Sequence, residues 1–486
     1  MTLLSKSKFV RALKTLSPAE IKAFEKWLKS PYCNSNKNLI LLFEVLRKKY
    51  PQFKDRNWSK EAVFHQILPH GKYSARRMNN ILSEAFLALE AFLVSQKLSQ
   101  NKALQIELLS QEWQERHQED WFQNTIQKGI THLEDLNIKA WEDHIDLLKL
   151  YRRSYHTPNQ TARYHAGDPT ISKMGDQLDL LYLLEKATII NEKIFRTRIL
   201  KDEDHALQND IELWFQLSQN HKHPAIELFR RRFVMQEPQL QAYHELRKDF
   251  FEKFPLLNKK QQKVHLQSLF NDTSLLIRAG ELDITDALPL YKLGLESGII
   301  FHQGILPYNV YTSIIAASNT KGDFTFTQHV IHTYSKRLEP AYVDDALHWA
   351  EAHTAYWQKD FENARQILLK QTFKNLYFLL LSKVLTTQVY FDIYLQDGTY
   401  DDYLFNYFDA FEKWILREKF RAKFNKSSFL RFIQMVRKLA RFDTNVNANP
   451  EQLDGFLEEE SNVQALNWLH QKKEFLLKRK KDRSQS

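Results

Sequence analysis

Glycine, proline and valine are scarce in this sequence. Its 486 residues include 11 Gly and 13 Pro, about 5% of the chain, where average usage of the two gives roughly 12%. Valine occurs 14 times and is absent between Ser95 and Phe233, although strands favour it. Sheet-rich folds use glycine in their turns, and flexible linkers are rich in glycine, serine or proline. These shortages argue against a sheet-rich fold and against flexible linkers. The abundant Leu, Lys, Glu, Gln and Ala predict an all-α protein.

Cysteine and long apolar runs are also nearly absent. Cys33 is the single cysteine, so the chain cannot form an intramolecular disulfide, which favours a reducing compartment. The first 14 residues carry four cations and lack the apolar stretch of a secretory signal. The nearest candidate for a membrane span, Leu376–Leu385, contains Ser382 and Lys383 and is shorter than the roughly 18 residues required. We therefore expect a soluble, cytoplasmic protein without membrane insertion.

The short motifs of common enzyme classes are missing as well. The sequence contains neither GxxxxGK[ST] nor GxGxxG, the loops that bind phosphates and dinucleotides. GxSxG, HExxH and ExxH do not occur either, which argues against a nucleophile elbow and against the usual zinc and ferritin-like ligand sets. We predict that the protein is not an enzyme and uses neither a cofactor nor a metal ion.

A few closely spaced pairs remain, in which a histidine is paired with a carboxylate or with a second histidine. The pairs at close spacing are Asp345 with His348, Asp202 with His205, His329 with His332, and His221 with His223. Because the chain has 18 histidines, we interpret these pairs as ordinary surface or core residues. A His and a carboxylate also occur, as His165 and Asp168, in the longest stretch without a helical pattern, 156–171. An enzyme would have to unite such residues, for example His165, Asp168, His205 and His348, in one deep pocket.

The net charge of +10 is unevenly distributed. Residues 1–100 hold 18 Lys and Arg against 7 Asp and Glu, residues 101–410 hold 34 against 42, and residues 411–486 hold 17 against 10. Basic ends can attract nucleic acid, an anionic surface or an acidic protein. The candidate anion-binding residues of the first segment are Lys22, Lys26, Arg47, Lys48, Lys49, Arg76 and Arg77. We favour a solvated helix face for them and keep binding of RNA or another nucleic acid as the alternative function.

The first hundred residues show clear helix boundaries. Ser17-Pro18-Ala19-Glu20 is a capping box with proline at the first helical position, and Leu16 and Ile21 stand where a hydrophobic staple would. Ser30-Pro31 predicts the end of this helix. Ser59 and Ser74 are expected to cap two further helices. We predict a basic N-terminal helical module over 1–100, followed by three connecting helices over 101–157.

A resemblance to a known family occurs in this first fifth of the chain. Ser30, Pro31, Tyr32 and Asn34 match a Ser-Pro-Tyr-x-Asn turn that follows an amphipathic helix. Together with the later Tyr73, Arg77, Asn80 and Glu84, the segment Phe24–Phe43 resembles the start of a family of large, all-helical bacterial proteins. Cys33 stands where that family has an apolar residue. The resemblance implies a helical fold and says nothing about activity.

Turn signals after Leu266 recur at nearly regular intervals. They lie at Ala279-Gly280-Glu281, Lys321-Gly322-Asp323, Gln358-Lys359-Asp360 and Asp397-Gly398-Thr399, with successive spacings of 42, 37 and 39 residues. Solenoids of paired helices repeat every 34 to about 47 residues. The turn at Asp360–Ala364 resembles that of a tetratricopeptide unit, and Tyr308–Pro340 resembles a pentatricopeptide unit. We predict a right-handed α-solenoid of stacked, tetratricopeptide-like helical hairpins over 173–442.

The region after the solenoid is short and basic. Residues 443–450 are polar and end in Pro450, which predicts a break. A final helix is expected from about Asn462 to Leu477, followed by a basic, frayed tail at Lys478-Arg479-Lys480-Lys481. We assign 450–486 to this C-terminal helix and tail.

Aromatic residues are concentrated late in the chain, with 14 Phe, Tyr and Trp residues from Tyr390 to Phe432. They either fill the core between stacked hairpins or form a groove that anchors a partner, since Tyr and Trp dominate interface hot spots. The candidate partner-binding residues are Tyr400, Tyr403, Tyr407 and Trp414. We predict a non-catalytic scaffold that binds a protein or peptide partner on the concave face of the solenoid.

Overall fold

The computed structural model describes residues 4–53, 59–156, 169–200, 206–235, 238–397, 401–418, 426–444, 453 and 463–485. These ranges are all-helical: they contain 22 α-helices and a few short 3₁₀ turns, and within them no β-strand forms. The predicted all-α class is thus confirmed. The chain divides into two compact units, Met1–Leu181 and Tyr182–Ser486, which are described separately.

The first unit begins with five helices around one core. They are α1 (Lys8–Leu13), α2 (Pro18–Lys29), α3 (Lys37–Arg47), α4 (Lys60–Ile67) and α5 (Ala75–Gln100). In their core, the ring centroids of Phe43 and Phe92 each lie 5.2 Å from that of Phe24. The buried apolar cluster of these helices ends at Phe92.

The predicted capping box at the start of α2 is confirmed. The Ser17 backbone N–H donates to the Glu20 carboxylate at 2.7 Å, and the Glu20 N–H donates to Ser17 Oγ at 3.3 Å. The hydrogen bond from the Ser17 N–H, followed by that of the Ser17 hydroxyl, lowers the pKa of the Glu20 carboxyl group. Ser59 and Ser74 cap α4 and α5 in the predicted way. The N-terminal boundaries follow from local chemistry, because each cap satisfies amide groups that the first helical turn leaves unbonded.

Three helices follow in the stretch predicted to hold the connecting helices, and they share a second, smaller core. They are α6 (Lys102–Glu115), α7 (Glu119–Glu134) and α8 (Trp141–Tyr155). Gly129 on α7 allows a close approach, because a Cβ there would lie 2.7 Å from Ile106 and 2.8 Å from a methyl carbon of Leu150. The predicted loop 156–171 lies mostly outside the described residues. The next helix, α9, spans Thr170–Leu200.

Thirteen further helices belong to the second unit. They are α10 (Leu207–Ser218), α11 (Pro224–Val234), α12 (Leu240–Lys253), α13 (Lys259–Arg278), α14 (Leu288–Ser297), α15 (Tyr308–Lys321), α16 (Phe324–Tyr334), α17 (Val343–Trp357), α18 (Phe361–Lys370), α19 (Leu376–Asp397), α20 (Asp401–Arg417), α21 (Lys426–Thr444) and α22 (Leu466–Gln485). α15 packs on both α16 and α17, and α17 packs on both α18 and α19. One buried apolar cluster extends from α14 to α22.

Two of the predicted turns have the same construction. Gly322 follows α15 with a φ of 78°, and Lys359 follows α17 with a φ of 67°. Gly322 adopts its positive φ without strain, because glycine lacks a Cβ. The next residue caps the following helix, because Asp323 accepts from the Phe326 N–H at 3.1 Å and Asp360 accepts from the Asn363 N–H at 3.2 Å. The turn predicted at 397–399 lies mostly outside the described residues.

The prediction of a frayed basic tail is wrong. α22 continues through the basic residues to Gln485, and Leu476 on its inner face is fully buried. The Arg479 guanidinium lies 3.5 Å from the Asp443 carboxylate, and the Lys480 ammonium lies 4.5 Å from the Phe442 ring centroid. The basic residues stay helical because their stems cover apolar surface and their charges meet a carboxylate and an aromatic face.

α19 is the one described helix that is long and apolar enough to cross a membrane, judged by length and composition alone. In the structure, 67% of its apolar window is buried inside the protein. This burial is typical of a core helix.

Candidate functional site

The second unit contains an open groove with a volume of about 890 Å³. Its wall is built from the helices α13, α15, α17 and α19, together with the segment that leads into α22. The lining side chains include Ile277 and Arg278 of α13, Ala316 and Thr320 of α15, Trp349, His353 and Trp357 of α17, Leu381, Val384, Leu385 and Gln388 of α19, and Leu466, Asn467, Trp468 and Gln471 of α22. The helices α14, α16, α18, α20 and α21 contribute no residue to this lining.

An aromatic ladder on α17 forms one wall of the groove. Trp349, His353 and Trp357 are spaced four residues apart and therefore share one helix face. The His353 ring centroid lies 4.8 Å from that of Trp349 and 6.2 Å from that of Trp357. Trp357 Nε1–H donates to His353 Nε2 at 3.3 Å, and the Asn319 side-chain amide lies 2.9 Å from Nδ1. Burial lowers the pKa of His353 to about 3, so the ring is neutral at pH 7.

One donor in this wall has no acceptor. Trp349 is only 4% exposed, and its Nε1–H has no hydrogen-bond partner among the described residues. An indole N–H can only donate. Leaving a buried donor unpaired costs about 1–3 kcal/mol, and this cost falls on the folded protein because the Nε1 atom is shielded from solvent.

One charged side chain occurs among the described residues that line the groove. It is Arg278, which lies in the last turn of α13 and is exposed. Within the described residues its guanidinium forms no ion pair. Arginine offers five N–H donors in a planar fork that suits carboxylates and phosphates.

A buried polar network holds the C-terminal wall in place. Tyr356 donates to the Asp392 carboxylate at 2.5 Å and accepts from Trp468 Nε1–H at 2.6 Å. The Lys472 ammonium pairs with the same carboxylate. Burial, followed by the adjacent Asp392 charge, raises the pKa of Tyr356 well above its usual value. These contacts tie α22 to α17 and α19, and so determine where Trp468 meets the groove.

The aromatic residues selected from the sequence do not line this groove. Tyr400 lies outside the described residues, and Tyr403 is 67% exposed on α20. Tyr407 is half-buried and donates to the Lys383 carbonyl at 3.4 Å, while the Trp414 ring centroid lies 4.8 Å from the Lys383 ammonium. The groove aromatics Trp349, His353 and Trp357 were not predicted from the sequence, although their spacing of four residues indicates a shared helix face.

The basic candidates are distributed over three helices of the first unit. Lys22 and Lys26 are exposed one turn apart on α2, and Arg76 and Arg77 are exposed in the first turn of α5. Arg47 ends α3 and pairs with the Glu25 carboxylate. Lys48 and Lys49 follow it and are exposed. The pairing of Arg47 reduces its availability to an anion.

The histidine and carboxylate candidates do not form a common pocket. His165, Asp168, Asp202 and His205 lie outside the described residues. His348 is partly buried on α17, where its Nδ1 lies 2.8 Å from the Asp344 carbonyl oxygen, and it does not line the groove. Within the described ranges, no three His, Cys, Asp or Glu side chains are placed to hold a metal ion.

Comparison with known proteins gives no relative. No protein-family model, no curated protein and no solved structure matches this chain. The fold and the groove are therefore the basis for a functional interpretation.

Proposed function

We propose that this chain is a non-catalytic helical-repeat protein that binds a segment of a partner protein in the groove of its second unit. In this proposal α13 to α20 form four stacked hairpins of a right-handed, tetratricopeptide-like α-solenoid. α13, α15, α17 and α19 are the first helices of these hairpins, and the groove is the concave face.

The observation that supports the proposal most strongly is the alternation of helices along the groove. Each lining helix from α13 to α19 is the first of its pair, and each second helix is absent from the lining. In α-solenoids, stacked helix pairs present an extended concave surface to ligands. The volume of about 890 Å³ lies within the range of 300–1,000 Å³ that is typical of ligand sites.

The chemistry of the lining favours binding over catalysis. Acid–base and nucleophilic catalysis need a titratable or nucleophilic side chain with a positioned partner. The ionisable groups in this lining are Arg278, which stays charged, and His353, which stays neutral because its pKa is about 3. His353 is in addition engaged by Trp357 and Asn319. The other described side chains of the lining are apolar, aromatic or amide, apart from the hydroxyl of Thr320.

A blocked groove tests this function. Full-length protein would be used to select binders from a displayed library of random dodecapeptides, and the affinities of the selected peptides would be measured by fluorescence anisotropy. Ala316→Trp places an indole in the groove, whereas Ala410→Trp places one at an exposed site on α20. We expect Ala316→Trp to weaken binding at least tenfold and Ala410→Trp to leave it unchanged.

A second variant distinguishes a blocked groove from a misfolded protein. Gln388→Trp blocks the groove from α19 rather than α15, and circular dichroism and thermal unfolding would report the integrity of each protein. If folded Ala316→Trp and Gln388→Trp bind the selected peptides as tightly as the wild type, or if selection enriches no peptide, the proposed function is wrong.

A further inference from the structure

We infer that the groove recognises an apolar peptide segment that carries a carboxylate, and that this carboxylate binds Arg278. This inference rests on the proposed function and specifies the chemistry of the partner.

The charge of the lining selects for an anion. Among the described residues of the lining there is no Asp or Glu to pair with the Arg278 guanidinium. A cationic side chain entering the groove would find repulsion and no compensating partner. A carboxylate would find a planar donor fork that can bind it through two parallel hydrogen bonds.

The remainder of the lining accommodates apolar side chains. Trp349, Trp357, Val384 and Leu385 present aromatic and aliphatic surface from two helices. Burial of such surface stabilises a complex by roughly 25 cal/mol for each Å² removed from water. Neutral His353 adds an aromatic face without adding a second cation at pH 7.

Polar side chains along the lining favour a peptide over a lipid acyl chain. Thr320, Gln388 and Gln471 line the groove from α15, α19 and α22, and they can bond to backbone amides of an extended segment. An acyl chain has no such groups beyond its head. Neighbouring packed helices lie roughly 8–10 Å apart, so α15, α17 and α19 span about 16–20 Å. An extended peptide of five or six residues covers this distance.

Charge reversal at Arg278 tests the inference on the selected dodecapeptides. Arg278→Glu reverses the charge in the last turn of α13, and Arg417→Glu does the same in the last turn of α20 as a matched control outside the groove. We expect the selected peptides to contain Asp or Glu among apolar residues. Arg278→Glu should weaken their binding at least tenfold, and Arg417→Glu should not.

A double-mutant cycle then locates the carboxylate. Each Asp or Glu of a selected peptide would be replaced by Asn or Gln and tested against the wild type and Arg278→Met. One such replacement should weaken binding to the wild type about tenfold and have little effect on Arg278→Met, since the charge partner is already gone.

Several outcomes would overturn the inference. The carboxylate inference is wrong if the selected peptides lack Asp and Glu, or if Arg278→Glu binds them as tightly as the wild type. The groove remains a peptide site in that case, provided that Ala316→Trp still abolishes binding. If Ala316→Trp also leaves binding unchanged, the proposed function is wrong too. Palmitate that binds the wild type and displaces every selected peptide would assign the groove to a lipid.

Discussion

Trp468 Nε1–H donates a hydrogen bond of 2.6 Å to the Tyr356 hydroxyl, across 112 residues of sequence. Tyr356 in turn donates to Asp392, which pairs with Lys472. The three helices α17, α19 and α22 are thereby joined through buried polar groups. Because Trp468 also lines the groove, the position of the C-terminal helix determines the width of the candidate binding site.

Loss of the Lys472 ammonium should destabilise the second unit strongly. The Asp392 side chain is only 8% exposed, and Lys472→Met would leave its carboxylate without a cation. Removal of one partner of a buried ion pair costs about 3–5 kcal/mol. Urea denaturation followed by tryptophan fluorescence would measure the loss.

The matched control is Lys478→Met, which removes an exposed ammonium from the same helix. We expect a change of less than about 0.5 kcal/mol there. Equal effects of the two substitutions would show that Lys472 contributes no more than a surface charge.

Two helical glycines of the first unit should respond to alanine in opposite directions. Gly129→Ala on α7 places a Cβ within 2.7 Å of Ile106, which overpacks the small core and costs about 1–3 kcal/mol. A Cβ at Gly175 on α9 meets no atom within 4 Å. Gly175→Ala should therefore stabilise the helix by roughly 0.5–1 kcal/mol. Thermal unfolding of both variants checks the signs, and a gain in stability from Gly129→Ala would contradict the packing of α7 against α6 and α8.

His265 should make the second unit sensitive to mild acid. Burial, with smaller contributions from His223 and Arg232, lowers the pKa of His265 to about 3, whereas an unfolded histidine titrates near pH 6.5. Below that pH, His265 is protonated in the unfolded chain but stays neutral in the folded chain. Stability is therefore complete above about pH 6.5 and falls by up to about 1.4 kcal/mol per pH unit toward pH 3.

Replacement of His265 should reduce this acid dependence, and the buried His353 should account for part of what remains. The ring packs on Phe229 at 4.3 Å, so His265→Leu keeps an apolar side chain at the site. Urea unfolding at pH 7, 6 and 5 should show a shallower loss of stability in this variant than in the wild type. His329→Leu, at an exposed position of α16, serves as the control. An unchanged pH slope in His265→Leu would show that this residue does not cause the acid sensitivity.

The features that sequence predicted well are those in which the chemistry is local. Ser17 and Glu20 bond across one helical turn, and Asp360 caps the helix that begins next to it. The helical structure of the basic C-terminal segment could not be predicted in this way, because Arg479 is held by Asp443, which lies 36 residues earlier. The groove was missed for the same reason. Trp349 gains its significance from α15, α19 and α22, and no pattern within α17 specifies them.

The unpaired indole N–H of Trp349 should contribute nothing to folding. Trp349→Phe keeps an aromatic ring on α17 and removes an N–H that has no acceptor within the described residues. We expect the variant to unfold within about 1 kcal/mol of the wild type, because the loss of packing is offset by removal of an unpaired donor. Urea denaturation followed by circular dichroism would measure the difference. A loss of several kcal/mol would contradict the absence of a hydrogen bond from this N–H.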